Sequence, residues 1–309
     1  MAAILSSKKS LYLLIISVSI ILISSIQISA QKLLHDKEFD VNSGQALTVD
    51  TPTGNIFIRT WDEDILSVKI YGNRKAEDKV TFEFNETGDG VEVLAEKPNS
   101  FFNWFISVKL KYEILVPEKF DLKLKTSGGD ILVSDVEGRN EVYTSGGDIK
   151  LRNLTGELKG KTSGGDIEVD GLNGNIDLRT SGGDIDLQKV RGDVSVGTSG
   201  GDIEIMSANG MVEAKTSGGD IKLNYRGENN GGYLSTSGGD IDIFLEPDFS
   251  ADVEFKTSGG DIEVDFPNAS IDGKIKSSRF KGKFNNGGKE FGAKTSGGDI
   301  TVRSRRNNG

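Results

Sequence analysis

From Thr126 onward, apolar and polar residues alternate in short bursts separated by glycine turns. Residues 165–200 read GDIEVDGLN, GNIDLRTSG, GDIDLQKVR and GDVSVGTSG, nonapeptides of the form G-x-(I/V)-x-(L/V), each followed by a polar turn. Alternation with a period of two marks a strand with one buried and one solvated face. No stretch after residue 30 carries a helical period. The pattern therefore predicts strand, turn, strand, turn, repeated along the chain.

The repeat is explicit. TSGGDI occurs nine times, starting at Thr126, Thr144, Thr162, Thr180, Thr198, Thr216, Thr236, Thr257 and Thr295. The first six copies are 18 residues apart, and the later gaps are 20, 21 and 38. Ser277-Ser278-Arg279-Phe280 reads as a degenerate copy that splits the last gap, and TPTGNI at Thr51 is a further relative. Gly138, Gly156, Gly174, Gly192 and Gly210 mark a second turn in each unit. A short fixed period means a stacked array. Two strands and two glycine turns make one coil of 18 residues, and coils stack at about 4.8 Å. Equivalent strands are then parallel, and a right-handed path is favoured. A hexapeptide helix would need apolar residues every six positions, whereas the spacing here is nine.

The core positions follow from the alternation. Ile131, Ile149, Ile167, Ile185, Ile203, Ile221, Ile241, Ile262 and Ile300 form one inward column. Val133, Leu151, Val169 and Leu187 form a second. Leu172, Ile176, Leu178, Val190, Val194 and Val196 are expected to face them from the other strand. The fold class is thus all-β: a right-handed parallel β-solenoid of 18-residue coils with an N-terminal β-rich cap.

The start of the chain departs from this rule. Lys8 and Lys9 precede an apolar run from Leu11 to Ile23, and Ile28-Ser29-Ala30 ends in a small residue. This is a secretory signal pattern over 1–30 with cleavage after Ala30, the alternative being a retained anchor. Residues 31–125 break the 18-residue period and read as an N-terminal cap with a first solenoid turn at Asn55 to Thr60. Residues 126–303 are the regular solenoid and 304–309 a tail. Stacked coils need atypical ends because open edges invite aggregation. Arg305 and Arg306 are expected to blunt the last coil with charge.

Composition narrows the chemistry. The chain has 309 residues, no Cys and one His, which excludes disulfides, thiolate nucleophiles and paired-His metal sites. Net charge is −10. Without Lys8 and Lys9 the balance is 35 cations against 47 acids, or −12. Such a chain is not expected to bind nucleic acid, and no cofactor is expected.

Three features are candidates for chemistry. The Asp of each TSGGDI forms a column, and Asp148, Asp166, Asp184 and Asp202 are calcium candidates because oxygen-only ligands suit that ion. The bland reading is that each Asp caps its own glycine turn. Lys125, Lys161, Arg179, Lys215, Lys256 and Lys294 precede the Thr of their repeats and are expected to offset the Asp charge. The Thr and Ser columns could order water or sugar hydroxyls, or pair their own hydroxyls along the stack. Phe101, Phe102, Trp104 and Phe105 form the one aromatic cluster, readable as a partner anchor, a membrane-interface finger or a lid on the core. His35 reads as a solvated tail residue.

TPTGNI followed by Trp61-Asp62-Glu63-Asp64, the long interruption, Glu113-Ile114-Leu115-Val116-Pro117 and the repeated SGGDI together resemble the bacterial "putative adhesin" family of β-strand repeats. The resemblance spans Phe39 to Arg303. It implies an exported right-handed β-solenoid and supplies no catalytic residues. The preferred function is a non-enzymatic, adhesin-like binding or structural scaffold of the cell envelope. Its partner would be an envelope glycan or protein, with a membrane engaged only through an uncleaved signal segment or the aromatic cluster. The alternatives are a carbohydrate-active solenoid enzyme using paired carboxylates, hidden in the irregular stretch Phe266 to Gly292, and an envelope-stress regulatory module. Its place is the periplasm, the outer surface or the extracellular space.

Overall fold

The structure, a computed structural model, describes residues 31–97, 108–272 and 277–305. The signal segment and the cluster Phe101 to Phe105 lie outside the described residues.

Two large sheets face each other across an aliphatic core, one of 13 strands and one of 14. Each regular coil contributes one strand to each sheet. In the coil named for Thr162, Leu158–Lys161 lies in the second sheet, the TSGGD bend turns the chain, and Ile167–Asn173 lies in the first. Strands of successive coils pair parallel, with Ile149 beside Ile167, Ile167 beside Ile185, and Leu158 beside Ile176. The 18-residue period and the register are therefore one fact seen twice.

Alternation places the side chains as expected. Ile131, Ile149, Ile167, Ile185, Ile203 and Ile221 are buried, as are Val133, Leu151, Val169 and Leu187. Leu172 and Val190 are also buried but sit elsewhere than expected. They belong to the first sheet, paired with each other beyond a bend, and do not face it from the second. The bend arises at Asp135, Asn153, Gly171 and Lys189, which share one corner and all take positive φ. The extra corner lets one strand wrap further round the core before the second turn.

The second glycine of each bend is fixed by the stack. A Cβ on Gly165 would lie 2.0 Å from the carbonyl oxygen of Gly147 in the coil below. Backbone meets backbone there, and neither can yield. The first glycine, Gly164, has its nearest neighbour at 3.8 Å.

At the N-terminal end the chain leaves the array after Asn55–Trp61, so that Ile56 pairs with Ile131, 75 residues on. Strands Leu110–Pro117, Ile65–Gly72 and Lys32–Asp40 extend the first sheet, the last two antiparallel to their neighbours. Gly90–Glu96 and Thr81–Thr87 extend the second sheet as a hairpin. A six-residue helix, Arg74–Lys79, interrupts them, with Asn73 as N-cap accepting from the Ala76 N–H. It is too short to show a period. His35 is not a tail residue: it lies in an edge strand with its ring centroid 4.8 Å from Phe82 and 5.3 Å from Phe84. Burial, and secondarily Lys37, lower its pKa.

The C-terminal end breaks sequence order. The coil of Thr295 does not stack last. Glu290–Lys294 lies between Gly232–Ser235 and Ala251–Lys256, and Ile300–Ser304 lies between Ile241–Leu245 and Ile262–Asp265. The last repeat thus wedges between the coils of Thr236 and Thr257. The loop from Glu246 to Ser250, anchored by the buried Phe249, carries the chain past the vacant level. Arg305 does not blunt an edge; it pairs with Glu246 at 3.2 Å and its backbone N–H donates to Leu245.

The expected degenerate coil at Ser277 to Phe280 is absent. Instead Arg279–Phe284 runs antiparallel to Ala251–Lys256 and to Ala269–Ile271. Parallel stacking therefore does not hold throughout 126–303. The reason is visible in the side chains. Phe280 and Phe284 stack against Phe255 and Phe266 and close the end of the core. An exposed end needs bulky apolar cover, which a standard coil lacks.

Candidate functional site

The Thr and Asp side chains of the TSGGD bend each bond to backbone across the stack, while the Ser side chains are exposed. The Thr162 hydroxyl donates to the Gly147 carbonyl of the coil below at 2.9 Å and accepts the Gly165 N–H at 3.3 Å. Thr144, Thr180, Thr198, Thr216 and Thr236 repeat the arrangement. These threonines are buried. They are staples between coils, and their hydroxyls bond to backbone groups, not to one another or to an exposed array. Thr fits because its methyl fills the core side while its hydroxyl both donates and accepts.

The Asp column is a second staple. Asp148 Oδ1 accepts the backbone N–H of Asp166 at 3.0 Å, Asp166 Oδ1 that of Asp184 at 2.9 Å, and Asp184 Oδ1 that of Asp202 at 2.8 Å. The expectation that each Asp caps its own turn is corrected: each caps the next coil. The stacking distance of about 4.8 Å brings the next N–H within reach of a short carboxylate arm. The ladder starts at Asn55, whose side chain accepts the Asp130 N–H at 3.1 Å and whose amide reaches back to Asp130 Oδ2 at 3.4 Å. TPTGNI is thus the first step, with Asn supplying the donor that a second Asp would lack. At the far end Asp240 caps Asp299, and Asp299 caps Asp261, so the wedged coil carries the ladder through.

The calcium candidates Asp148, Asp166, Asp184 and Asp202 therefore each spend one oxygen on the backbone. Among the described residues, no group of three or more His, Cys, Asp and Glu side chains converges as a metal cage.

The cations before each Thr lie on the outer face of the second sheet. Their partners are not the bend aspartates. Lys125 pairs with Asp50, Arg179 with Asp177, Lys215 with Glu213, and Lys256 with Glu254. For Arg179, Lys215 and Lys256 the period-two alternation explains this, since the residue two before an outward cation is also outward, whereas Asp50 lies directly across from Lys125 on the neighbouring strand. Arg279 joins Lys256 on Glu254. Sequence spacing alone did not find Arg279, because its strand runs antiparallel.

The described residues of Phe266 to Gly292, the stretch expected to hide any paired carboxylates, form the aromatic end cover and the entry to the wedged coil. On the outer face of the second sheet beside it lies a trough of about 820 Å³, lined among others by Tyr233, Gly292, Glu254 and Lys294.

A family model, Toastrack DUF4097, matches residues 44–303. No curated protein matches the chain. Among solved structures, the chain is similar to a "putative adhesin" from Bacteroides fragilis NCTC 9343, at 15% identity and a TM-score of 0.48, with 89% of this chain and 98% of that chain covered. It is also similar to a "putative cell adhesion protein" from Clostridium sporogenes ATCC 15579, at 14% identity and a TM-score of 0.23, covering 88% and 100%. A third is a "putative lipid binding protein" from Parabacteroides distasonis ATCC 8503, at 13% identity and a TM-score of 0.39, covering 87% and 96%.

Proposed function

The chain belongs to the Toastrack DUF4097 family, and from that membership we propose that it is an exported, non-enzymatic scaffold that presents long flat faces to an extended partner in the cell envelope. One observation carries the reading. The bend side chains that could have done chemistry, the Thr and Asp columns, are bonded to backbone from coil to coil. They hold a rigid array, and what the array offers outward is repetition. A periodic face suits a periodic or extended ligand better than a small substrate.

Fractionation of cells expressing the full chain tests this. The expected result is a processed protein beginning near Gln31 that sediments with envelope material. An unprocessed protein recovered with the cytoplasm would overturn it.

A further inference from the structure

The outer face of the second sheet gathers cations that the sequence scatters. Lys125, Lys161, Arg179, Lys215, Lys294 and Lys256 fall in one row across the strands, and Arg279 extends it. Neighbouring positions are about 4.8 Å apart. Tyr143, Gly197 and Ser235 fill the gaps. The wedged coil matters here, because it sets Lys294 between Ser235 and Lys256 and so brings three cations onto consecutive strands.

This row and the outward row two residues before it, taken from Ala46–Thr51 to Arg279–Phe284, hold ten Lys and Arg against five Asp and Glu. The whole chain is −10. The cationic excess is confined to these two rows: the next outward row carries Asp121, Asp252 and Glu290 with Lys283. Among the described residues no carboxylate lies within ion-pair distance of Lys161 or Lys294. Lys125, Arg179, Lys215, Lys256 and Arg279 hold exposed pairs, which contribute little and exchange readily for a ligand carboxylate.

Beside the row, Gly292 faces outward between Tyr233 and Glu254, so the sheet dips there. Tyr233 is 43% exposed at the wall of the trough. A tyrosine offers an apolar face and a polar tip, which suits a sugar ring.

We propose that this face binds a linear acidic polysaccharide bearing one carboxylate per sugar, laid across the strands along the stacking axis, with a sugar seated at Tyr233. The proposal rests on the scaffold reading and names its ligand. A carboxylate on every sugar repeats at a spacing close to that of the strands. A nucleic-acid strand carries a charge every 3.4 Å or so, out of step with the row. The trough at Gly292 suits a chain lying in it better than a flat membrane.

The test uses the full chain with a polygalacturonate oligomer of ten sugars, its methyl ester, phosphatidylglycerol vesicles and an oligothymidylate. Polygalacturonate should bind with an affinity that falls as salt rises, and the ester should not bind. Lys161→Glu with Lys294→Glu should weaken binding by about tenfold or more, since like charges now face the ligand. Lys150→Glu with Lys222→Glu, on the first sheet's outer face, should change it by less than about twofold, with both variants folded at the assay temperature although the second, which joins Glu168, Asp186 and Glu204 into a longer acidic run, melts lower than wild type. Tyr233→Ser should weaken both the high-salt and low-salt affinity. Equal losses from the two charge reversals, an ester that binds as well, or binding to vesicles or oligothymidylate in place of polygalacturonate would each overturn the proposal. Should polygalacturonate fail while the wild type still sediments with envelopes, the scaffold reading stands and this ligand is wrong.

Discussion

The coils from Thr126 to Gly219 and those from Gly232 to Ser304 use one bend chemistry in two different orders. In the first set each coil stacks on its sequence neighbour. In the second, the last coil enters between two earlier ones. Yet Thr295 bonds Gly239 at 2.9 Å and Thr257 bonds Gly298 at 2.8 Å, just as Thr162 bonds Gly147. The bend motif therefore specifies how a coil meets whatever lies below it, and not which coil that is. Order is decided elsewhere, by linkers and by the need to cover the end.

The largest test removes a coil from each region. In a stacked array, stability sums over coils and their interfaces. Deleting residues 163–180 removes one coil and lets its neighbours close in register, so the protein should still unfold cooperatively. Deleting residues 290–309 removes the wedge and leaves the coils of Thr236 and Thr257 two levels apart. The Thr257 coil and its hairpin should then lose their packing as well. The urea m-value, which scales with the surface exposed on unfolding, should fall by more than one coil's worth. Amide exchange over 251–284 should quicken. If those amides stay protected, the chain has restacked in sequence order and the wedge is dispensable.

Next in size is the apolar column. Ile185 is buried in the centre, whereas Ile262 lies on the last strand of the first sheet and is only half-buried. Ile185→Asp forfeits about 1.5–3 kcal/mol of burial and also buries a charge without a partner. Ile262→Asp can keep its carboxylate wet and should cost less than half as much. Equal losses in chemical denaturation would mean that the terminal strand is covered in solution by something else.

The Thr staples should behave alike in both regions. Thr180 and Thr295 are both buried, and each serves a carbonyl below and an N–H in its own bend. Val keeps the shape and leaves both backbone groups unpaired. Each Thr→Val change should cost about 1–3 kcal/mol, the usual penalty for orphaned buried groups. A much smaller loss at Thr295 would show that the wedged coil is loosely held.

These comparisons also show what was readable from sequence. Period-two alternation and the 18-residue spacing placed Ile149, Leu151 and Ile167 correctly, because register in a stack is the repeat itself. Leu172 and Val190 were assigned to the wrong sheet, since the positive-φ corner at Asn153, Gly171 and Lys189 has no single residue signature. The wedge was invisible because the Thr295 copy is identical to its fellows, and identity of repeats erases information about neighbours. The Asp and Thr columns were seen, but their partners were not, since a side chain reaching the next coil is a property of the stacking distance. The cations of the row are evident in the sequence but their acids are not the bend aspartates, because outward alternation sets Asp177, Glu213 and Glu254 beside Arg179, Lys215 and Lys256.

The smallest effect concerns charge on the first sheet's outer face. Across the central coils one outward row reads Lys150, Glu168, Asp186, Glu204, Lys222. Burial, and then the charges of Glu204, Glu168 and Asp170, raise the Asp186 pKa above its ordinary 3.8, against a lowering by the Gln188 hydrogen bond. A raised carboxyl pKa means that the folded state holds its proton more tightly than the unfolded state. Stability then falls as pH rises from 3.8 through the folded value, and the penalty persists at neutral pH. Asp186→Asn should remove that slope, raising the melting temperature slightly at pH 7 and leaving it unchanged at pH 3. In the terminal coils the same row reads Asp242, Thr301, Glu263, and the wedged coil has set a neutral residue between two acids. Thr301→Asp rebuilds the three-acid run there and should lower the melting temperature at pH 7 by a comparable amount. Opposite signs from the two substitutions, seen in melting curves between pH 3 and 7, would confirm that consecutive acids in this row destabilise the folded state. Shifts of the same sign would refute it.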